Sequence, residues 1–321
     1  MIRKIVILVY LIILPPAYLA AQEFYSSLNN YSRILINPSY AGYDYESNVW
    51  SSYSVFAKSG NEVYNEFTFV YDRYAPRLKG GTAFYLKQGL QGDANSNTIE
   101  LGVSYTPRVR KFQGAFLPSV YLGYNKPVKQ WFVYGFDEWR GNFETYEYIP
   151  GKAYLRPDLY KIGGSMLFVI ENIRFGISGN YGFQLKNDDD VISSRKPYKI
   201  IAHLSTRASR KSRGILSRSK VISPQFILHY ENGLLQGKSE IRVNGPRFLY
   251  SAFLLNNISD NIHNIGGSAG FENDVFRVTF SGGLGTTPKL DRLTFTGALS
   301  LLIKLPKENI QRTFPFKPLW D

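Results

Sequence analysis

Residues 173–185 alternate. Ile173, Phe175, Ile177, Tyr181, Phe183 and Leu185 fall on one face, and Arg174, Ser178, Asn180 and Gln184 on the other. A strand turns successive side chains to opposite sides, so period two means one apolar and one polar face. Segments of about ten residues with this character recur to the end of the chain, as in a β-barrel that spans an outer membrane. Residues 99–105, 276–284 and 293–303 repeat the pattern, with Ile99, Leu101 and Val103, then Phe276, Val278 and Phe280, then Leu293, Phe295 and Leu299 on the apolar face.

The N-terminus reads as an export signal. Arg3 and Lys4 precede an apolar stretch over 5–14, and Leu19, Ala20 and Ala21 precede Gln22, where cleavage is expected. The stretch is shorter than the roughly 20 residues of a spanning helix. With no cysteine in 321 residues, neither disulfides nor a cysteine-linked lipid hold this chain. No later segment is apolar over about 18 residues, which argues against a helical membrane protein. The 24 Tyr and 22 Phe suit the aromatic girdles of a barrel, although soluble sandwiches are also rich in rings. The net charge of +13 falls to +11 once Arg3 and Lys4 are set aside. A basic balance suits headgroups or an acidic partner, and export makes nucleic acid the weakest candidate.

Fourteen strands are predicted, near 44–57, 63–73, 79–88, 97–107, 115–125, 160–170, 173–185, 198–208, 220–230, 234–244, 247–257, 262–273, 275–285 and 291–304. An even number is what single-chain bacterial barrels require. Two of the spans, 79–88 and 247–257, alternate ambiguously. Short links at 74–78, 171–172, 245–246 and 273–274 are expected on the periplasmic side, with turn-forming Asn, Asp, Gly and Pro. Long links at 126–159 and 186–197 are expected outside. Pro118 and Pro224 fall inside strands and predict bulges, because proline cannot donate to a ladder. The division is a signal at 1–21, a lead-in at 22–43, a barrel at 44–304, and a periplasmic tail at 305–321.

Ile36-Asn37-Pro38-Ser39-Tyr40-Ala41-Gly42 resembles the N-P-[AS]-Y-A-G signature of the PorP/SprF family of the type IX secretion system of Bacteroidota. The run 223–230, with Ser223, Pro224 and Tyr230, is similar to a family strand, and the hairpins over 234–304 follow the family's rhythm. The resemblance covers nearly all the mature chain. It departs in the first strand, where only Trp50 stands, and at Leu290-Asp291-Arg292. It implies a non-enzymatic outer-membrane component of secretion and gliding that holds the C-terminal domain of a secreted surface adhesin, with periplasmic secretion components and outer-membrane lipid as further partners. On that reading Trp131, Phe136, Trp139 and Arg140 of the long outer loop face the cargo. A basic run, Arg207, Arg210, Lys211, Arg213, Arg218 and Lys220, faces a periplasmic partner or headgroups. The residues of the motif themselves read as a turn tucking the N-terminus against the barrel: Asn before Pro initiates turns and Gly42 permits a positive φ.

Other chemistry is weakly signalled. His203, His229 and His263 are far apart and lack metal-ligand spacing, so no metal or cofactor is expected. His203 and Ser205 share a strand face, a pairing that could serve a lipase, but they read as an ordinary polar stripe. Asp188, Asp189 and Asp190 read as solvated charge. The alternative function is a passive channel or small-molecule transporter, with some Arg and Lys inside and no plug domain.

Overall fold

The computed structural model describes residues 32–45, 47–58, 62–91, 96–111, 114–128, 134–137, 142–145, 159–183, 198–210, 220–231, 234–258, 262–286 and 293–305. Its strands are β1 (Ser47–Lys58), β2 (Glu62–Ala75), β3 (Gly80–Gln91), β4 (Ser96–Pro107), β5 (Val109–Lys111), β6 (Gly114–Val128), β7 (Tyr134–Asp137), β8 (Asn142–Thr145) and β9 (Leu159–Ile170), followed by β10 (Ile173–Phe183), β11 (Tyr198–Thr206), β12 (Ala208–Arg210), β13 (Lys220–Glu231), β14 (Leu234–Asn244), β15 (Phe248–Asn257), β16 (Ile262–Glu272), β17 (Phe276–Thr286) and β18 (Leu293–Leu305). Every neighbouring pair in the main sheet is antiparallel. The sheet closes on itself, because β11 pairs with β13 and the first strand, β1, pairs with the last, β18. Setting aside the short additions β5 and β12 leaves a closed barrel of fourteen strands, and each of the fourteen expected spans overlaps one of them.

Alternation decides which way each side chain points. Phe295 and Leu299 of β18 are exposed outward, while Thr294, Thr296 and Ser300 are buried inward. Val120 and Leu122 of β6, Phe175 and Ile177 of β10, and Phe280 and Leu284 of β17 continue the outer apolar face. In water such a surface would be a large exposed patch; in lipid it is the required exterior. No closed ring of ladders leaves a free edge, so the backbone is satisfied across the membrane.

The two ambiguous spans have a physical explanation. Strand β3 turns Ala83 and Tyr85 inward and Phe84 outward; β15 turns Leu249, Phe253 and Leu255 inward and Tyr250 and Leu254 outward. Both strands are apolar on two faces because something apolar occupies the lumen.

The bulges expected at Pro118 and Pro224 are absent. Register along β6 is the same against β4 (Tyr105↔Val120) and β5 (Val109↔Phe116), and Pro118 falls in the gap between them. Pro224 falls likewise between the β11 and β12 pairings of β13. Each proline interrupts one ladder without shifting it; past the gap the strand pairs with a short hairpin arm, β5 or β12, and keeps its other barrel ladder throughout. Within the stretches 108–114 and 207–220, β5 and β12 extend the walls on that side.

Tight turns at Glu171–Asn172, and at 245–247 and 273–275, share this end of the barrel with the start of β1. By the short-turn rule it is the periplasmic end. The long outer link carries its own hairpin, β7 with β8.

Candidate functional site

The feature that sets the interior is residues 32–45. A single helical turn (Arg33–Ile36) leads into Asn37, whose side chain accepts a hydrogen bond from the Ser39 backbone N–H at 2.9 Å and so caps the short 3-10 turn Pro38–Tyr40. Gly42 then takes a positive φ of 57°. The turn expected from the sequence therefore forms, but it lies inside the barrel. Asn37, Ser39 and Ala41 are fully buried. The sequence reading had placed no plug in the lumen; this segment is one, built from fourteen residues instead of a domain.

Polar bonds tie it to five strands. Asn37 Nδ2 donates to the Met166 carbonyl of β9 at 3.0 Å. The Ser39 N–H donates to Ser165 Oγ at 3.1 Å, and the two serine hydroxyls bond at 2.8 Å. Ser178 of β10 donates to the Ile36 carbonyl at 2.8 Å, and Thr106 of β4 to that of Pro38 at 3.1 Å. The Gly42 N–H donates to Asp72 of β2 at 3.2 Å. The Tyr40 hydroxyl lies 3.1 Å from His203 Nε2 of β11, and burial holds that phenol above its ordinary range. On β3 the chain passes so close that a Cβ on Gly81 would fall on the Ala41 carbonyl. Gly176 of β10 similarly makes room for Asn37 and His203.

At the periplasmic rim the segment is clasped by rings and guanidinium groups. Arg108 lies 5.1 Å from the Tyr45 ring and 5.8 Å from those of Tyr43 and Tyr74, and also bonds the Gly42 carbonyl. Arg174 lies 5.5 Å from Tyr43. Such contacts contribute about 0.5–1 kcal/mol each when exposed and about 2 when desolvated.

Above the segment, Ile36 joins Phe56, Ile201, Ile227, Phe253 and Leu255 in one apolar cluster. Its members come from β1, β11, β13 and β15, and β1 and β11 stand on opposite sides of the ring. The lumen is thus crossed by packed side chains. Toward the outer end the wall is ionic: Lys87 pairs with Glu66 at 3.0 Å, Lys161 with Glu100 at 2.8 Å, and His229 lies 3.2 Å from Glu231. Tyr85 and Tyr121 bond each other and Glu100.

Between the segment and the wall of β10–β17 lies a cavity of about 430 Å³. Arg207 of the expected basic cluster lines it. Arg210 and Lys220 are register partners whose side chains are not described, and Lys211, Arg213 and Arg218 lie outside the described residues. Of the residues assigned to cargo, Phe136 falls in β7, and Trp131, Trp139 and Arg140 lie outside the described residues, as do the signal, Asp188–Asp190 and the tail. His203 and Ser205 both face the lumen, and His203 meets Tyr40. Among the described residues no group of His, Cys, Asp and Glu could hold a metal ion.

A simple test follows from the absence of cysteine. Ser39→Cys should react with a soluble maleimide slowly, because the side chain is buried. Adding Gly81→Val or Arg108→Ala should speed labelling roughly tenfold, the factor that about 1.4 kcal/mol of lost anchoring produces. Equal rates in all three would mean that the segment is not held by these contacts.

No family model and no curated protein matches the chain. Similar solved structures include the outer membrane protein Omp33 of Acinetobacter baumannii, at 10% identity and TM-score 0.45 over 81% of this chain and 99% of that one. The toluene transporter TbuX of Ralstonia pickettii matches at 10% identity and TM-score 0.44, over 85% of this chain and 93% of that one. The KdgM porin matches at 9% identity and TM-score 0.37, over 80% and 99%. These likenesses concern the fold. The expectation of an adhesin anchor is corrected here: the structures named are an outer membrane protein, a toluene transporter and a porin, with no secretion component among them.

Proposed function

We propose that this chain is an outer-membrane passage protein for small polar solutes, closed at rest by its own residues 32–45. The observation that carries the reading is the manner of closure. The stopper is a short segment, continuous with the chain at one rim, and it is held to the wall by individual hydrogen bonds and ring contacts. Bonds of about 0.5–1.5 kcal/mol each are together enough to seat it and singly weak enough to release in sequence. The wall beside it on β10–β17 is polar and charged, as befits a hydrated path once the segment moves, while Trp50, Val70, Leu117 and Leu167 form an apolar wall on the other side.

The Ser39 and Ser165 hydroxyls, 2.8 Å apart, supply the test. The double variant Ser39→Cys/Ser165→Cys should form a disulfide on oxidation. Swelling of proteoliposomes in small sugars or amino acids should then stop, and reductant should restore it. Liposomes that never swell, whether they carry the wild type or a variant lacking residues 32–45, would refute passage.

A further inference from the structure

The cavity beside the segment carries a second message in its charge. Six basic side chains line it: Arg33 of the segment, Arg174 of β10, Arg207 beyond β11, Lys238 and Arg242 of β14, and Arg277 of β17. Three carboxylates line it too, and each is already shared. Glu240 lies 3.0 Å from Lys238 and 3.2 Å from Arg242. Glu272 binds Arg277 at 2.7 Å and Lys304 at 2.8 Å. Asp44 reaches Arg33 only at 3.7 Å. The described lining therefore holds three more positive charges than negative. Ser205, Ser223, Gln225 and Asn244 add uncharged polar groups around the same space. A volume of about 430 Å³ lies within the range of small-ligand pockets, roughly 300–1,000 Å³.

We infer that this cavity is a binding site for a small soluble oxyanion bearing carboxylate or phosphate groups. Guanidinium groups present planar pairs of donors that match both kinds of oxyanion. Walls of low dielectric on either side strengthen the attraction over that in bulk water. The site lies inside the strand wall, which separates it from lipid headgroups, so the ligand arrives by water. The floor of the site is the segment itself, through Arg33, Tyr40 and Asp44. An anion seated there would compete with Asp44 for Arg33, loosening one of the segment's ties to itself. The inference deepens the passage reading by naming the solute class, and rests on it for the ligand's being a solute in transit.

The experiment is calorimetric titration of the full chain in non-ionic detergent at low ionic strength, with citrate and with inorganic pyrophosphate, glucose serving as neutral control. Flux in proteoliposomes is measured on the same preparation. Binding of one or both anions is expected, and which one binds tells whether the site takes carboxylate or phosphate groups. Arg33→Gln/Arg207→Gln should weaken it at least about tenfold, since hydrogen bonds to charged groups are worth about 1.5–3 kcal/mol. Arg77→Gln, at an exposed turn of the same rim, should leave it unchanged. No heat from either anion, or equal binding in the double variant, would overturn the site. Flux without binding sinks this inference and leaves passage standing; binding without flux, in the full chain and in a variant lacking residues 32–45 alike, supports the site and ends the passage reading.

Discussion

Replacing residues 32–45 with a Gly-Ser linker is expected to raise conductance in planar bilayers roughly tenfold or more, because each 1.4 kcal/mol that seats the segment is a factor of ten in the closed population. The prediction is strong because the segment fills the lumen in two ways. Its buried polar residues occupy the periplasmic half, and Ile36 completes the apolar cluster that crosses the middle. Removing it takes the Ser39, Asn37 and Gly42 bonds away together and leaves Ser165, Ser178 and Thr106 facing water, where such groups are at ease. The barrel should survive, since the β1–β18 seam begins at Ser47, outside the replaced stretch. Retained heat-modifiable mobility on electrophoresis would confirm survival. Unchanged conductance in a folded barrel would mean that Phe56, Ile201 and Phe253 close the lumen without help.

The second large effect concerns Glu240. It is 3% exposed and sits between Lys238, also 3% exposed, and Arg242. Glu240→Ala should destabilise the barrel by about 3–5 kcal/mol, because removing one partner leaves buried charge uncompensated. Urea unfolding in detergent, followed by tryptophan emission, would read the loss as a lower midpoint with the same slope. Adding Lys238→Met should recover part of it, since the pair then leaves together. A loss below about 1 kcal/mol would show that water reaches the cluster freely, as it does at exposed ion pairs.

The wall was legible and its contents were not. Strands such as 173–183 and 293–305 announce themselves because lipid demands apolar residues at every second position and the lumen tolerates polar ones. Where the lumen is filled, that contrast fades, and β3 and β15 blurred because Tyr85 and Phe253 point inward. The motif at 36–42 was visible as a turn, and Asn37 and Gly42 behave as a turn requires. Its burial was not visible. Ser39 meets Ser165 across 126 residues and Tyr40 meets His203 across 163, and nothing local encodes such pairings. A usable hint did exist: glycines at 81 and 176, both inward positions, are where another backbone or ring comes close. The cations of the cavity were hidden for a different reason: β10, β14 and β17 supply Arg174, Lys238, Arg242 and Arg277 from separate places in the chain, and nothing local groups them.

A hollow cylinder of strands is a hoop, and side pressure from the surrounding lipid can ovalise it at little cost beyond bending its ladders. Here the same fourteen residues that stop the bore reach β2, β3 and β4 on one arc and β9, β10 and β11 on another. They are spokes, and they turn the hoop into a wheel. On the passage reading, withdrawing them softens the wall at the moment it opens the bore, so stiffness and permeability would be two readings of one displacement, with membrane tension acting on both.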